Sequence, residues 1–115
     1  MSKYLLKVEA NCTDSSREAE FNDWYNNTHI PDIQETKGFV KATRYEILEP
    51  TPGKGKYVAV YEIECDDLDD LMMKHGKNMK NKEAQGRMTD LINVTARGVY
   101  KQIYSRDQQI DRREE

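Results

Sequence analysis

The fold is constrained most by how hydrophobic periodicity changes along the chain: two, then near 3.6, then two in a pair of neighbouring segments, then near 3.6, then two again. Residues 4–10 set Tyr4, Leu6 and Val8 on one side at period two, which predicts a first strand. Phe21, Trp24, Tyr25 and Thr28 recur at helical spacing, and Ser15 with Glu18 three residues later has the capping-box form. A first helix is therefore expected over residues 16–29. Pro31 lacks an N–H and restricts Ile30 to extended geometry, so the helix should end or break at His29-Ile30-Pro31-Asp32, with room for one more turn before Gly38. Residues 39–48 and 57–64 are rich in β-branched and aromatic side chains, and the turn-forming run Pro50-Thr51-Pro52-Gly53-Lys54-Gly55 between them makes the pair a hairpin. Asp66 or Asp67 can cap a second helix, on which Leu68, Leu71, Met72 and Met79 share a face with His75. A short helical piece over residues 83–93 and a last strand over 99–104 complete the reading.

The order β-α-β-β-α-β predicts an α+β, ferredoxin-like domain: a four-stranded antiparallel sheet with both helices on one face. The domain is expected over residues 1–105, with a charged, frayed tail at 106–115. The second sheet face then needs a cover. With 37% hydrophobic and 34% charged residues the chain is lean for a domain of 115 residues, which hides only roughly two thirds of its unfolded surface. Six of the seven tyrosines (Tyr4, Tyr45, Tyr57, Tyr61, Tyr100 and Tyr104) fall on predicted strands. Tyrosine suits a buried face that needs polar tips, as in a pocket or an interface, although strand propensity alone also favours it. Pairing two sheets about a two-fold axis would cover both faces, so a homodimer is expected.

Several classes are disfavoured. The 18 basic and 21 acidic residues are well mixed, with a net charge of −3, and lack the basic stripe of a nucleic-acid-binding protein. Cys12 and Cys65 have neither CxxC spacing nor the number for a disulfide scaffold, which fits a reduced, cytoplasmic protein. No run resembles a signal peptide or approaches the ~18 apolar residues of a membrane span. The N-x-T matches at Asn11, Asn26 and Asn93 are then chance, since glycosylation requires secretion.

Chemistry concentrates in the segment Trp24 to Asp32, where a small-molecule pocket is expected. An imidazole ordinarily titrates near neutral pH, so His29 is expected to pass a proton either way, or else simply to cap a backbone carbonyl. Asp32 can accept from one imidazole nitrogen and fix the tautomer. Arg44 and Tyr45 are adjacent on a strand and so face opposite ways. Arg44 can hold an enolate or carboxylate, or serve as a surface cation paired with a glutamate. Trp24 and Tyr25 are core residues by default and pocket walls for a flat ligand otherwise; Tyr61 and Tyr104 can donate hydrogen bonds into a cavity. His75 reads as a satisfied core or edge histidine. His29-x-x-Asp32 gives a metal two ligands and no third, so no metal is expected.

The run Glu20-Phe21-Asn22-Asp23-Trp24-Tyr25-Asn26-Asn27-Thr28-His29-Ile30-Pro31-Asp32-Ile33, followed by Gly38-Phe39-Val40-Lys41-Ala42-Thr43-Arg44-Tyr45, resembles EthD-like members of the dimeric α/β-barrel superfamily. These show W-[YH]-x-x-x-H-[LIV]-P-D at the end of the first helix and G-F-x-x-A-x-R-Y at the second strand. The resemblance implies a dimeric α/β barrel. Its relatives include cofactor-free monooxygenases acting on quinols and polyketides, lactone isomerases, dehydratases and haem-degrading enzymes, the last with an axial histidine on the second helix, broadly where His75 stands. The expectation is cofactor-independent acid/base chemistry on a cyclic or aromatic carbonyl metabolite, of the kind found in secondary metabolism, with His29, Asp32 and Arg44 in catalysis and Trp24, Tyr25, Tyr45, Tyr61 and Tyr104 around the substrate. The alternatives are a binding protein without chemistry and a haem protein.

Overall fold

In the computed structural model, which describes residues 1–109, period-two alternation turns Leu6 and Ala10 of β1 (Ser2–Cys12) to one side, where each is 1% exposed. β2 (Phe39–Glu46) and β3 (Tyr57–Cys65) form the expected hairpin, and Tyr57, Ala59, Tyr61 and Ile63 of β3 turn to that same side. With β4 (Ile92–Lys101) the sheet order is β2-β3-β1-β4, every neighbour antiparallel. Phe21, Tyr25 and Ile33 from the first helical segment and Leu71 from the second close the core over this face. Each large side chain fully buried there contributes about 1.5–3 kcal/mol. The fold is thus the α+β, ferredoxin-like arrangement.

The first helical segment departs from expectation at both ends. Asp14, not Ser15, caps it: Asp14 has extended backbone geometry, and its Oδ1 accepts from the Ser16 N–H at 3.0 Å. Ser15 already lies in the opening 3₁₀ turn (Ser15–Arg17), and the Glu18 carboxylate pairs with Lys56 Nζ at 3.3 Å instead of reaching back. Nor does Pro31 stop the helix. α1 (Glu18–Trp24) widens into a π-turn (Tyr25–His29) and resumes as α2 (Ile30–Ile33), with Pro31 in its first turn, where a missing N–H is tolerated. Gly38, at φ 115°, then leads into β2.

Asp67 caps α3 (Leu68–Ala84), its side chain accepting from the Asp70 N–H at 3.1 Å, and Leu71 and His75 are the buried residues of this helix. The expected helical piece over 83–93 does not form. Gly86, at φ 73°, follows the helix end, and by Ile92 the chain has entered β4, several residues before the strand expected at 99–104. Met88, Leu91 and Ile92 satisfy helical spacing, but Ile92, Val94, Thr95 and Val99 are β-branched and lie on the strand that pairs along β1. A bulge at Thr95 accommodates one extra residue opposite Glu9 and Ala10, and the Thr95 hydroxyl donates to the Glu9 carboxylate at 2.6 Å.

The strand tyrosines therefore divide. Tyr4, Tyr57 and Tyr61 face the helices, Tyr45 and Tyr100 face away, and Tyr104 lies beyond the last strand. The far face carries a cleft of about 470 Å³ whose lining includes Leu5, Tyr45, Val60, Glu62, Tyr100 and Tyr104. Residues 102–109 have no regular structure, and the part of the expected tail at 110–115 lies outside the described residues. Among the described residues no helix is long and apolar enough to cross a membrane.

Candidate functional site

The register of the hairpin sets Arg44 opposite Ala59, and that small side chain leaves room for a guanidinium between sheet and helix. Aromatic rings surround it: the Tyr25 centroid lies 4.2 Å from Arg44 Cζ, Tyr57 5.4 Å and Phe21 5.8 Å. Such faces attract a cation through the ring quadrupole. Nη1 donates to Asn26 Oδ1 and Nη2 to Asn22 Oδ1, each at 2.9 Å, so two neutral amides one helical turn apart hold the guanidinium in place. Nε is buried without a partner. Burial lowers the Arg44 pKa, with Tyr25, Tyr61 and Tyr57 opposing the shift; a guanidinium still stays protonated at neutral pH.

His29 is 9% exposed. Its ring lies flat on Trp24, centroids 4.6 Å apart and planes 17° from parallel, and stands edge-on to Tyr25 at 5.1 Å. Burial pushes its pKa down to about 4; His75 and Arg44 act in the same direction and Asp32 against it. The imidazole is neutral at pH 7. Tyr61, fully buried, leaves its hydroxyl without a partner: the Tyr25 hydroxyl approaches but closes no hydrogen bond, and burial raises the pKa of both phenols. Phe39 packs between Tyr61, at 6.2 Å, and His75, at 5.1 Å. His75 is 8% exposed, its Nδ1 has no partner, and burial followed by the charge of Arg97 lowers its pKa. Buried polar atoms are normally paired. Three on the helix side of the sheet are not: Arg44 Nε, Tyr61 Oη and His75 Nδ1.

Asp32 is 5% exposed, but both its oxygens accept from Arg87, Nε at 2.7 Å and Nη2 at 3.0 Å, and Arg87 holds the carboxyl below the usual carboxylate range. The Arg87 carbonyl in turn accepts from Trp24 Nε1 at 2.9 Å. One residue thus fixes both neighbours of His29, the ring beneath it and the carboxylate three positions on.

The structure brings Tyr25, His29, Arg44 and Tyr61 into one layer, with Trp24 against His29. It turns Asp32 towards Arg87, and it places Tyr45 and Tyr104 in the cleft on the opposite sheet face, away from His29 within this chain. Asn22, Asn26, Tyr57 and Arg87 escaped sequence reasoning. The four-residue spacing of Asn22 and Asn26 was a usable signal for the first two, whereas Arg87, 55 positions from Asp32, gave none. Among the described residues no group of three or more His, Cys, Asp or Glu side chains is placed to hold a metal ion.

A family model described as a domain of unknown function, DUF4286, matches residues 3–94. No curated protein matches the sequence. Among solved structures, a dimeric ferredoxin-like protein from an uncultured marine organism aligns with a TM-score of 0.65 at 9% identity, covering 91% of this chain and 99% of its own. An EthD-family protein from Bacillus halodurans C-125 gives 0.55 at 19% identity over 90% and 100%. A point mutant of MhuD, solved with two manganese protoporphyrin IX groups bound per active site, gives 0.62 at 11% identity over 92% and 99%. At these identities the likeness is one of fold.

Proposed function

This chain belongs to the DUF4286 family, a domain of unknown function, and from the side chains gathered beneath its first helix we propose a cofactor-independent enzyme that moves protons on a small carbonyl-bearing ring. The observation that carries this reading is the setting of Arg44: a cation among neutral amides and aromatic faces, with one N–H unsatisfied. A half-buried charge held only by neutral groups favours an anion from outside. An enolate or phenolate oxygen meets that need, with Arg44 and Tyr61 as donors and the aromatic walls matching a flat ring. Donors that strengthen as negative charge develops lower the barrier to removing a proton from carbon.

His29 is the group that takes or returns the proton. Neutral at pH 7, it is free to accept, and the arrival of an anion raises its proton affinity towards the range a general base requires. The reaction is an isomerisation, dehydration, cyclisation or oxygenation through a substrate carbanion. The working unit is a homodimer that pairs the outer sheet faces, in keeping with the tyrosines there and with the dimeric neighbour of the same fold.

Deuterium exchange into the α-carbon of bound ring ketones such as 2-tetralone, followed by mass spectrometry in D2O, tests the chemistry. The natural chain should speed exchange, and His29→Gln should slow it by about 10²–10⁴-fold with fold and dimer intact. Exchange untouched by His29→Gln would remove His29 from the mechanism. Tight ketone binding with no exchange at all would favour a binding protein.

A further inference from the structure

The helix that carries His29 widens just ahead of Pro31. Over Tyr25–His29 it is a π-turn, with the Ile30 N–H reaching five residues back to the Tyr25 carbonyl. Pro31 offers no N–H, and in a regular α-helix its ring would strike the carbonyl of Asn27, four residues back. Widening the turn that contains Asn27 relieves that collision without breaking the helix, which continues through Ile33 and closes with the Gln34 N–H on the Ile30 carbonyl at 3.0 Å.

The extra residue also corrects the helix phase. At 3.6 residues per turn each step of four drifts by about 40°, so Phe21, Tyr25 and His29 on a regular helix would fan over about 80°. In this chain Phe21, Tyr25, His29, Asp32 and Ile33 are all buried. Pro31 itself is exposed, so its influence runs through the backbone. We propose that Pro31 is the positioning residue of this site: by compelling the π-turn it rotates His29 back onto the buried face, flat against Trp24 and into the layer that holds Arg44. Its functional meaning rests on His29 being the proton-transfer group, but the positioning can be measured without a substrate.

Pro31→Ala restores the N–H and lets the four-residue ladder run through Asn27, so the turn should relax and swing the imidazole outward. With only two histidines in the chain, their ring carbon–proton NMR signals can be followed against pH and assigned with His29→Gln and His75→Gln. The titratable and charged groups facing His29 are Asp32 on its own helix, Arg44 from β2, His75 from α3 and the adjacent Tyr25, and the substitution changes none of them. In the natural chain the His29 signal should titrate near 4 and carry an upfield ring-current shift from Trp24. In Pro31→Ala its midpoint should rise by about one pH unit or more as burial is relieved, and the ring-current shift should shrink.

Pro31→Ser, which also restores the N–H, should do the same. A His29 midpoint and ring shift unchanged in Pro31→Ala overturns the proposal, as does a change with Ala that Ser fails to reproduce. Loss of the whole fold in both variants also overturns it, because a residue acting on one turn should not be needed for folding. If the positioning result holds while His29→Gln keeps its exchange activity, the reading of His29 fails and the role of Pro31 stands.

Discussion

In the folded chain His29 takes up a proton near pH 4, whereas an unfolded histidine does so near 6.5. Between those values the unfolded chain binds the proton and the folded chain does not. Stability is therefore fully expressed above about 6.5, falls as pH falls, and has lost the His29 contribution once pH drops through 4. At about 1.4 kcal/mol per pH unit the contribution is about 3 kcal/mol. Asp32, whose pKa Arg87 depresses, pulls in the same direction but only as pH falls through and below its ordinary 3.8. Urea titrations at pH 7.5 and 4.5 should thus show a marked loss in the natural chain and a smaller one in His29→Gln; equal losses would mean that the imidazole is not held neutral. At this scale the sequence told some things and hid others. That Arg44 and Tyr45 face opposite ways follows from strand pleating alone. That Asp32 serves Arg87 could not be read, because α3 and the turn after it had to fold back before the two met.

Element order was legible because each change of period is local, and all four strands and both main helical segments were identifiable from the pattern. Boundaries were less so. Proline reads as a helix stop because its usual remedy is termination, and the other remedy, a wider turn, leaves no mark in composition. The spacing of Met88, Leu91 and Ile92 fits one turn of helix as well as the entry to a strand, and only pairing with β1 decided between them. Gly38 was correctly expected near the helix limit, and the structure supplies the reason. Its φ of 115° is one that side-chain-bearing residues rarely adopt, and an added Cβ would collide with the Leu71 side chain on α3. Gly38→Ala should destabilise the chain by about 2 kcal/mol, seen as a lower urea midpoint at unchanged slope; a midpoint within error of the natural chain would show that the turn adapts freely.

Across the whole molecule the two sheet faces are unlike. One is sealed by helices, and the other exposes Tyr45 at 55% and Tyr100 at 53% around its cleft. If that face receives a second copy, light scattering at micromolar concentration should give twice the chain mass. Val60→Glu, which adds a carboxylate to that face beside Lys7, its cross-strand partner on β1, should then weaken the dimer by about 10-fold or more, through desolvation of the added charge. A natural chain that stays monomeric, or a Val60→Glu dimer as tight as the natural one, would contradict the pairing. The sequence pointed to a covered second face through its tyrosines, yet of the strand tyrosines only Tyr45 and Tyr100 lie on that face, while Tyr4, Tyr57 and Tyr61 serve the helix side. The chain also has a single tryptophan, and it is the ring on which His29 rests. Its indole is therefore a built-in optical reporter. Emission should fall as the imidazole becomes charged, and again if the proposed flat ligand enters the layer, so protonation, and with it that proposal, can be followed in the natural chain with no dye or label attached.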